Sequence, residues 1–245
     1  MSQCNYKRVL LKLSGESLAA KSGASVACNI DPDMLRFLAG EIKQVHDLGV
    51  EIAIVVGGGN IFRGAMLADS GTDRITGDSI GMLATVINAL ALQDAVREIG
   101  VEARVMSAIS IGGVCEDYIR AKAIDALRNR CVVILAAGTG SPLFTTDTAA
   151  SLRASEVRAE LVLKATKVDG VYDKDPVQHP GAKMYSELSF NRLIIDRLGI
   201  MDSTAAVMCR DNGIPVRVFK ISDKGAFKAV ITGKPVGTLI HDQRP

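Results

Sequence analysis

The stretch Val9-Leu10-Leu11-Lys12-Leu13-Ser14-Gly15-Glu16 is an apolar run that carries one lysine and stops at a small, polar turn. Two other runs repeat the form, Ile52-Ala53-Ile54-Val55-Val56-Gly57-Gly58-Gly59-Asn60 and Val132-Val133-Ile134-Leu135-Ala136-Ala137-Gly138-Thr139-Gly140. Continuous apolar runs of this length are what strands buried on both faces require. Ending at such turns, they leave open backbone amides along one edge of a parallel sheet, where α/β folds hold phosphorylated ligands.

Working outward, further apolar runs place strands near 7–13, 50–56, 101–106, 131–137, 160–165, 214–219 and 236–240, with helical patterns filling most gaps. That alternation predicts a mainly parallel sheet covered on both faces. Asp31-Pro32 opens a helix with Met34, Leu35, Leu38, Ile42 and Val45 on one face and Gly49 after its end. From Gly81 to Leu92 the helical stretch carries no charge on any face. A helix without a polar face must be covered all round, so it is either a central helix or a subunit interface. Lys21 to Asn29, rich in small residues, reads as a mobile loop.

With 245 residues, 48% of them hydrophobic, the chain is long enough to bury a substantial core as one large domain or two closely packed lobes. A net charge of +2 does not favour nucleic acid or an anionic membrane, so any phosphate selectivity must come from locally placed cations. The five cysteines are scattered, with no C-x-x-C pair, which argues for reduced thiols in the cytoplasm and against a zinc site. The first residues run into a strand without an apolar signal region, and no stretch approaches the roughly 18 uncharged apolar residues of a membrane span.

Lys12 is the sharpest clue. An unpaired ammonium within a buried strand costs several kcal/mol, so it belongs at the strand's mouth facing an anion or a carboxylate; the alternative is a lysine snorkelling from an edge strand. Lys164 repeats the arrangement after Glu160-Leu161-Val162-Leu163. Two such lysines suggest cations converging on one transferring group, with Asp147 as the carboxylate that spaces and orients them, unless Asp147 is merely a helix N-cap. The loop Gly138 to Thr146 offers hydroxyls and amides to a base and a phosphate, or is a surface loop of turn formers. Arg63 follows the glycine turn closely and is either a bidentate clamp on a phosphate or a solvent-facing arginine. No Walker sequence occurs, and Phe62 stands where a dinucleotide fingerprint needs its third glycine.

Lys12-Leu13-Ser14-Gly15-Glu16, Gly57-Gly58-Gly59-Asn60-Ile61-Phe62-Arg63-Gly64, Gly77-Asp78, Met82-Leu83-Ala84-Thr85, the loop Gly138 to Asp147 and Lys164-Ala165-Thr166-Lys167-Val168-Asp169-Gly170-Val171-Tyr172 together resemble the amino acid kinase superfamily, most closely its bacterial uridylate (UMP) kinases. The resemblance implies a three-layer α/β/α sandwich forming a single domain over 1–245, with an acceptor (UMP) lobe over roughly 1–150 and a nucleotide-donor (ATP) lobe over roughly 151–245. It implies transfer of the ATP γ-phosphoryl group to UMP with Lys12, Lys164 and Asp147 as catalytic residues. ATP would be bound by Lys12, Leu13, Ser14, Gly15, Gly59, Arg63, Thr166, Tyr172 and Asp175. UMP would be bound by Gly58, Asp78, Thr139, Gly140, Ser141, Pro142, Leu143, Phe144, Thr145 and Thr146. Mg²⁺ would arrive with ATP and no protein-only metal site is implied. A homohexamer, UTP inhibition and GTP activation also follow from the resemblance. The loop from Ala19 to Asn29, however, lacks the glycine- and acid-containing pattern usual in that family, which puts GTP activation in doubt. A sibling kinase for an amino acid or carbamate, or a non-catalytic nucleotide sensor, would share much of this pattern.

Overall fold

The computed structural model describes residues 4–19, 29–62, 71, 73–176, 178–179 and 181–242. Arg63 and most of the 19–29 loop lie outside the described residues. Nine strands form one sheet: β1 (Arg8–Leu13), β2 (Glu51–Val56), β3 (Ala103–Ser107), β4 (Glu116–Asp117), β5 (Val132–Ala136), β6 (Leu161–Thr166), β9 (Glu187–Leu188), β10 (Val216–Lys220) and β11 (Thr238–Ile240). The order is β4-β3-β5-β2-β1-β6-β10-β11-β9. All neighbours pair in parallel except β10 and β11. All seven expected strands are present. The antiparallel turn onto β11 and the two-residue strands carry too little periodicity to be read from sequence.

Two helical layers cover this sheet. On one face lie α1 (Pro32–His46), α2 (Arg74–Glu98) and α7 (Ala226–Ile231), packed through Leu38, Ile42, Val86, Leu92, Phe227 and Val230 on alternate residues of the strands such as Leu11, Ile54 and Leu163. The other face holds α3 (Arg120–Arg128), α4 (Thr146–Val157), α5 (Phe190–Ile195) and α6 (Ser203–Asp211), packed on Leu10, Val55 and Val162. The period-2 alternation of strand side chains is what splits the core into these two clusters. The result is the expected three-layer α/β/α sandwich. A separate hairpin pairs β7 (Val171–Tyr172) with β8 (Met184–Tyr185).

Helix α1 begins where its cap dictates, with the Asp31 carboxylate accepting from the Asp33 and Met34 amides. Helix α2 is uncharged over 81–92, but only one side of it is covered within the chain. Its Ala84, Val86, Ala89 and Leu92 are buried on the sheet, as are the polar Thr85 and Asn88, whereas Ile80, Leu83 and Ile87 form an exposed apolar row. By length and composition α2 would also cross a bilayer, but one face of it is packed into the domain core.

The chain's two halves wind to opposite sides of β1, with β2, β5, β3 and β4 on one side and β6, β10, β11 and β9 on the other. That makes β1/β6 the switch point of the sheet, where open α/β sheets present a crevice beyond the carboxyl ends of their strands.

Candidate active site

The parallel register of β1 and β6 sets Lys12 directly beside Lys164. Both side chains share the sheet face of Leu10 and Val162, toward α4. β1 is the fifth of nine strands, and Lys12 is only 9% exposed and Lys164 7%. Snorkelling from an edge strand is therefore ruled out for Lys12.

Asp147, in the first turn of α4, meets both. Lys12 Nζ lies 3.0 Å from Asp147 Oδ1, and Lys164 Nζ donates to Oδ2 at 2.5 Å. The N-cap of α4 is Thr145, whose hydroxyl accepts from the Asp147 and Thr148 amides at 3.1 and 3.2 Å. Asp147 is thus not the cap, and its carboxylate is free to bridge the lysines. Asp202, the N-cap of α6, accepts from the Thr145 hydroxyl at 2.5 Å and from Thr148 Oγ1 at 3.0 Å, tying this turn to the second half of the chain. Nothing in the sequence around Asp202 marks it beyond an ordinary cap.

Burial pulls the Lys164 ammonium down to about 8, and the charge of Lys12 adds to the effect while Asp147 opposes it. Burial raises the Asp147 carboxyl, but the two lysines together outweigh it and leave that group below its ordinary value. Among the described residues no cluster of three or more His, Cys, Asp or Glu side chains is placed to hold a metal.

The turns after β1 and β2 interlock. A side chain at Gly15 would meet Gly59 N, Asn60 Oδ1 at 2.6 Å and Gly57 O at 2.9 Å, and one at Gly58 would meet Ala84 and the Gly81 carbonyl at 2.8 Å. At Gly59 a Cβ would meet nothing within 4 Å among the described residues. Beside it lies a cavity of about 280 Å³, lined by Gly58, Gly59, Asp78, Thr139, Ser141, Phe144, Thr145 and Thr146 among others. Asp78 faces it from α2, accepting the Leu143 amide at 2.8 Å and pairing with Arg74 at 3.2 Å.

Gly140, Pro142 and Leu143 shape the loop and do not line the cavity. Gly140 adopts φ +84° against the Ala108 carbonyl, and Leu143 sits at φ 71° with its side chain exposed. Behind the loop, the buried Arg153 stacks 4.1 Å from the Tyr118 ring, pairs with Glu156 at 2.6 Å and reaches the Gly138 carbonyl at 3.3 Å.

A second cavity of about 400 Å³ is lined by Tyr172 and Asp175 together with Gly170, Arg197 and Ile200. Tyr172 donates its hydroxyl to Asp169 at 2.7 Å. Thr166 stands apart from that cavity, bonded through its hydroxyl to the Val168 and Phe219 carbonyls. A larger cavity of about 670 Å³ lies at the opposite edge of the sheet, lined by Tyr6, Glu160 and Pro215, the residues that precede β1, β6 and β10. It is remote from the lysines, so size alone does not locate the chemistry.

Two adjacent central strands of a mostly parallel sheet carry, in their carboxyl-terminal halves, lysines bridged by one carboxylate with glycine turns beside them, an arrangement suited to a kinase that handles phosphoryl groups. The amino acid kinase family model matches residues 7–220, and the chain belongs to that family. Within it the chain is 53% identical to the uridylate kinase of Methylococcus capsulatus over 240 residues, covering 98% of this chain and 99% of that protein. It is 51% identical to the uridylate kinase of Xanthomonas axonopodis pv. citri over 241 residues, with the same coverage. The crystal structure of UMP kinase from Bacillus anthracis superimposes with a TM-score of 0.93 at 40% identity, covering 98% of this chain and 97% of that one.

Proposed function

We infer that this chain is a UMP kinase, transferring the ATP γ-phosphoryl group to UMP to give UDP and ADP in pyrimidine nucleotide synthesis. The reading rests on one arrangement: two buried lysines held by Asp147 at the mouths of adjacent central strands, beside a cavity that Asp78 and the Thr139–Thr146 loop enclose. Lys12 and Lys164 bind and neutralise the transferring group, and Asp147 keeps them oriented. The backbone of Leu13, Ser14 and Gly15, with Gly59 and Arg63, holds the donor phosphates. Thr166, Tyr172 and Asp175 serve the adenosine end. Gly58, Asp78, Thr139, Ser141, Phe144, Thr145 and Thr146 seat UMP, with Gly140, Pro142 and Leu143 shaping the loop that carries them.

In-line transfer between two polyanions demands positioning and charge neutralisation, with little covalent work for the protein. A phosphate oxygen of the acceptor is already anionic near neutral pH, so no general base is required. Both oxygens of Asp147 are engaged by lysines, which fits Mg²⁺ carried in on the nucleotide phosphates and not held by a protein cage. When bound, that ion supplies further neutralisation of the phosphates.

The acceptor lobe spans roughly 1–150 and the donor lobe 151–245, a boundary that falls inside α4. The exposed row Ile80, Leu83 and Ile87 supports self-association through α2, in a homohexamer. UTP acts as an inhibitor, GTP activation is doubtful, and the enzyme works in the cytoplasm. Cys4, Cys115, Cys131 and Cys209, free among the described residues, suit a reducing compartment.

Coupled ADP release with UMP, CMP, dUMP and acetylglutamate side by side tests the substrate class. UMP-dependent release is expected; turnover of the carboxylate alone would move the chain to a sibling activity, and binding of ATP and UMP without product would make it a sensor. Two further results are expected. Asp78→Asn raises the KM for UMP about tenfold or more, the loss of a hydrogen bond to a charged group, while the KM for ATP stays unchanged. An effect confined to ATP would place Asp78 in the wrong half of the site. In the free enzyme kcat/KM for ATP falls as pH rises through about 8, where Lys164 loses its charge. A flat profile to pH 9.5, about 1.5 units beyond that value, would remove Lys164 from phosphate binding.

A further inference from the structure

Helix α2 carries an amide where its neighbours are apolar. Asn88 is 0% exposed and sits among Ala84, Val86, Ala89 and Leu92, a place where leucine would fill the same volume. Its Nδ2 donates to the Gly57 carbonyl and to Asn60 Oδ1, both at 2.7 Å, and its Oδ1 accepts from Asn60 Nδ2 at 3.1 Å. Gly57 is where the β1–β2 ladder stops: its amide still bonds Leu13 at 2.9 Å, but its carbonyl turns to Asn88.

Asn60 in turn exchanges hydrogen bonds with Asn29, donating to its carbonyl at 3.1 Å and accepting at its own carbonyl at 2.9 Å. Asn60 also lies against Gly15 so closely that a Cβ there would come within 2.6 Å of its Oδ1. The amide pair therefore fixes the separation between the Ser14–Gly15 turn and the Gly57–Asn60 turn. One helical turn earlier, Thr85 Oγ1 accepts the Ala137 amide at 2.7 Å, so the same helix also anchors the turn after β5.

We propose that Asn88 is a positioning residue for phosphoryl transfer, setting from behind the glycine turn Gly57–Asn60 on which both nucleotides' phosphates rest. This rests on the kinase reading above. A buried amide of this kind also costs more to lose than it contributes when satisfied, because truncation leaves the Gly57 carbonyl and the Asn60 side chain without their partner. The sequence signal was present in the uncharged run 81–92, where Asn88 is one of two polar residues, the other being Thr85.

The test uses Asn88→Leu, Asn60→Ala and the double variant, assayed well below their melting temperatures, with hydrogen exchange followed at the amides of residues 58–62. In folded Asn88→Leu, kcat for UMP phosphorylation is expected to fall about tenfold or more. Turn exchange should rise about tenfold while β1 and β2 amides are unchanged. The double variant should lose less than the two single losses combined, since both remove the one amide pair while each also removes a bond the other keeps. Should Asn88→Leu not fold, Asn60→Ala removes the same pair from the half-buried turn and carries the test. A merely structural Asn88 would lower the melting temperature and leave kcat and both KM values within about twofold of the parent; that result, unchanged turn exchange, or full additivity overturns the proposal. A parent protein that makes no UDP overturns the kinase reading, while the exchange measurement alone still decides whether Asn88 holds the turn.

Discussion

Lys12→Ala is expected to lower turnover roughly 10²-fold or more, the loss that follows removal of one preorganised donor facing developing charge. The protein should still fold. β1 is buried along its whole length, and deleting this ammonium leaves Asp147 paired with Lys164 at 2.5 Å, so no charge is stranded. The KM for UMP should change little, because the acceptor cavity is walled by Gly58, Asp78 and the Thr139–Thr146 loop and not by Lys12. A second signature separates a catalytic loss from a packing defect. The charge of Lys12 is, after burial, the main influence depressing Lys164, so in Lys12→Ala the alkaline limb of kcat/KM should move above about 8. Steady-state ADP release across pH, with a thermal melt, measures both. Unchanged turnover in a folded Lys12→Ala protein would reject the catalytic role of Lys12.

These lysines were legible in the sequence because an ammonium inside Val9–Leu13 or Leu161–Lys164 contradicts the burial its neighbours demand, and only an anion reconciles the two. The parallel sheet was legible for the same reason: its central strands are apolar without alternation. What brings Lys12 beside Lys164 was not legible. It depends on β6 pairing with β1 across a chain separation of about 150 residues, a register set by the whole topology and by no local pattern. The buried polar supports were missed for another reason. Asn88, Thr85 and Arg153 act on backbone carbonyls and amides of distant turns, and a sequence shows which side chains are polar but not which carbonyls lack a ladder partner. The α2 stretch looked apolar on every side because periodicity weighs charge heavily and one amide lightly.

Asp147→Asn should be the most disruptive change to the site. Each carboxylate oxygen serves one lysine, Oδ1 for Lys12 and Oδ2 for Lys164. An amide keeps one acceptor and turns a donor toward the other ammonium, so two cations that are each less than 10% exposed lose their neutralising charge. Breaking a buried pair in this way costs about 3–5 kcal/mol, which in a chain of this length lowers the melting temperature by about 10 °C. Turnover should fall about 10²- to 10³-fold, since the lysines must either splay or shed a proton. The pH profile identifies which. Asp147 is the group that holds Lys164 up against burial, so its removal should carry the alkaline limb below about 8, the opposite direction from Lys12→Ala. Stability gives an independent sign. Burial raises the Asp147 carboxyl and the lysines more than offset this, so its folded value lies below the ordinary 3.8. Its stabilisation is therefore complete above 3.8 and lost as pH falls through the lower, folded value. In Asp147→Asn that component of acid unfolding should vanish, and an unaltered acid transition together with unaltered turnover would show that the bridge neither holds the fold nor orders the lysines.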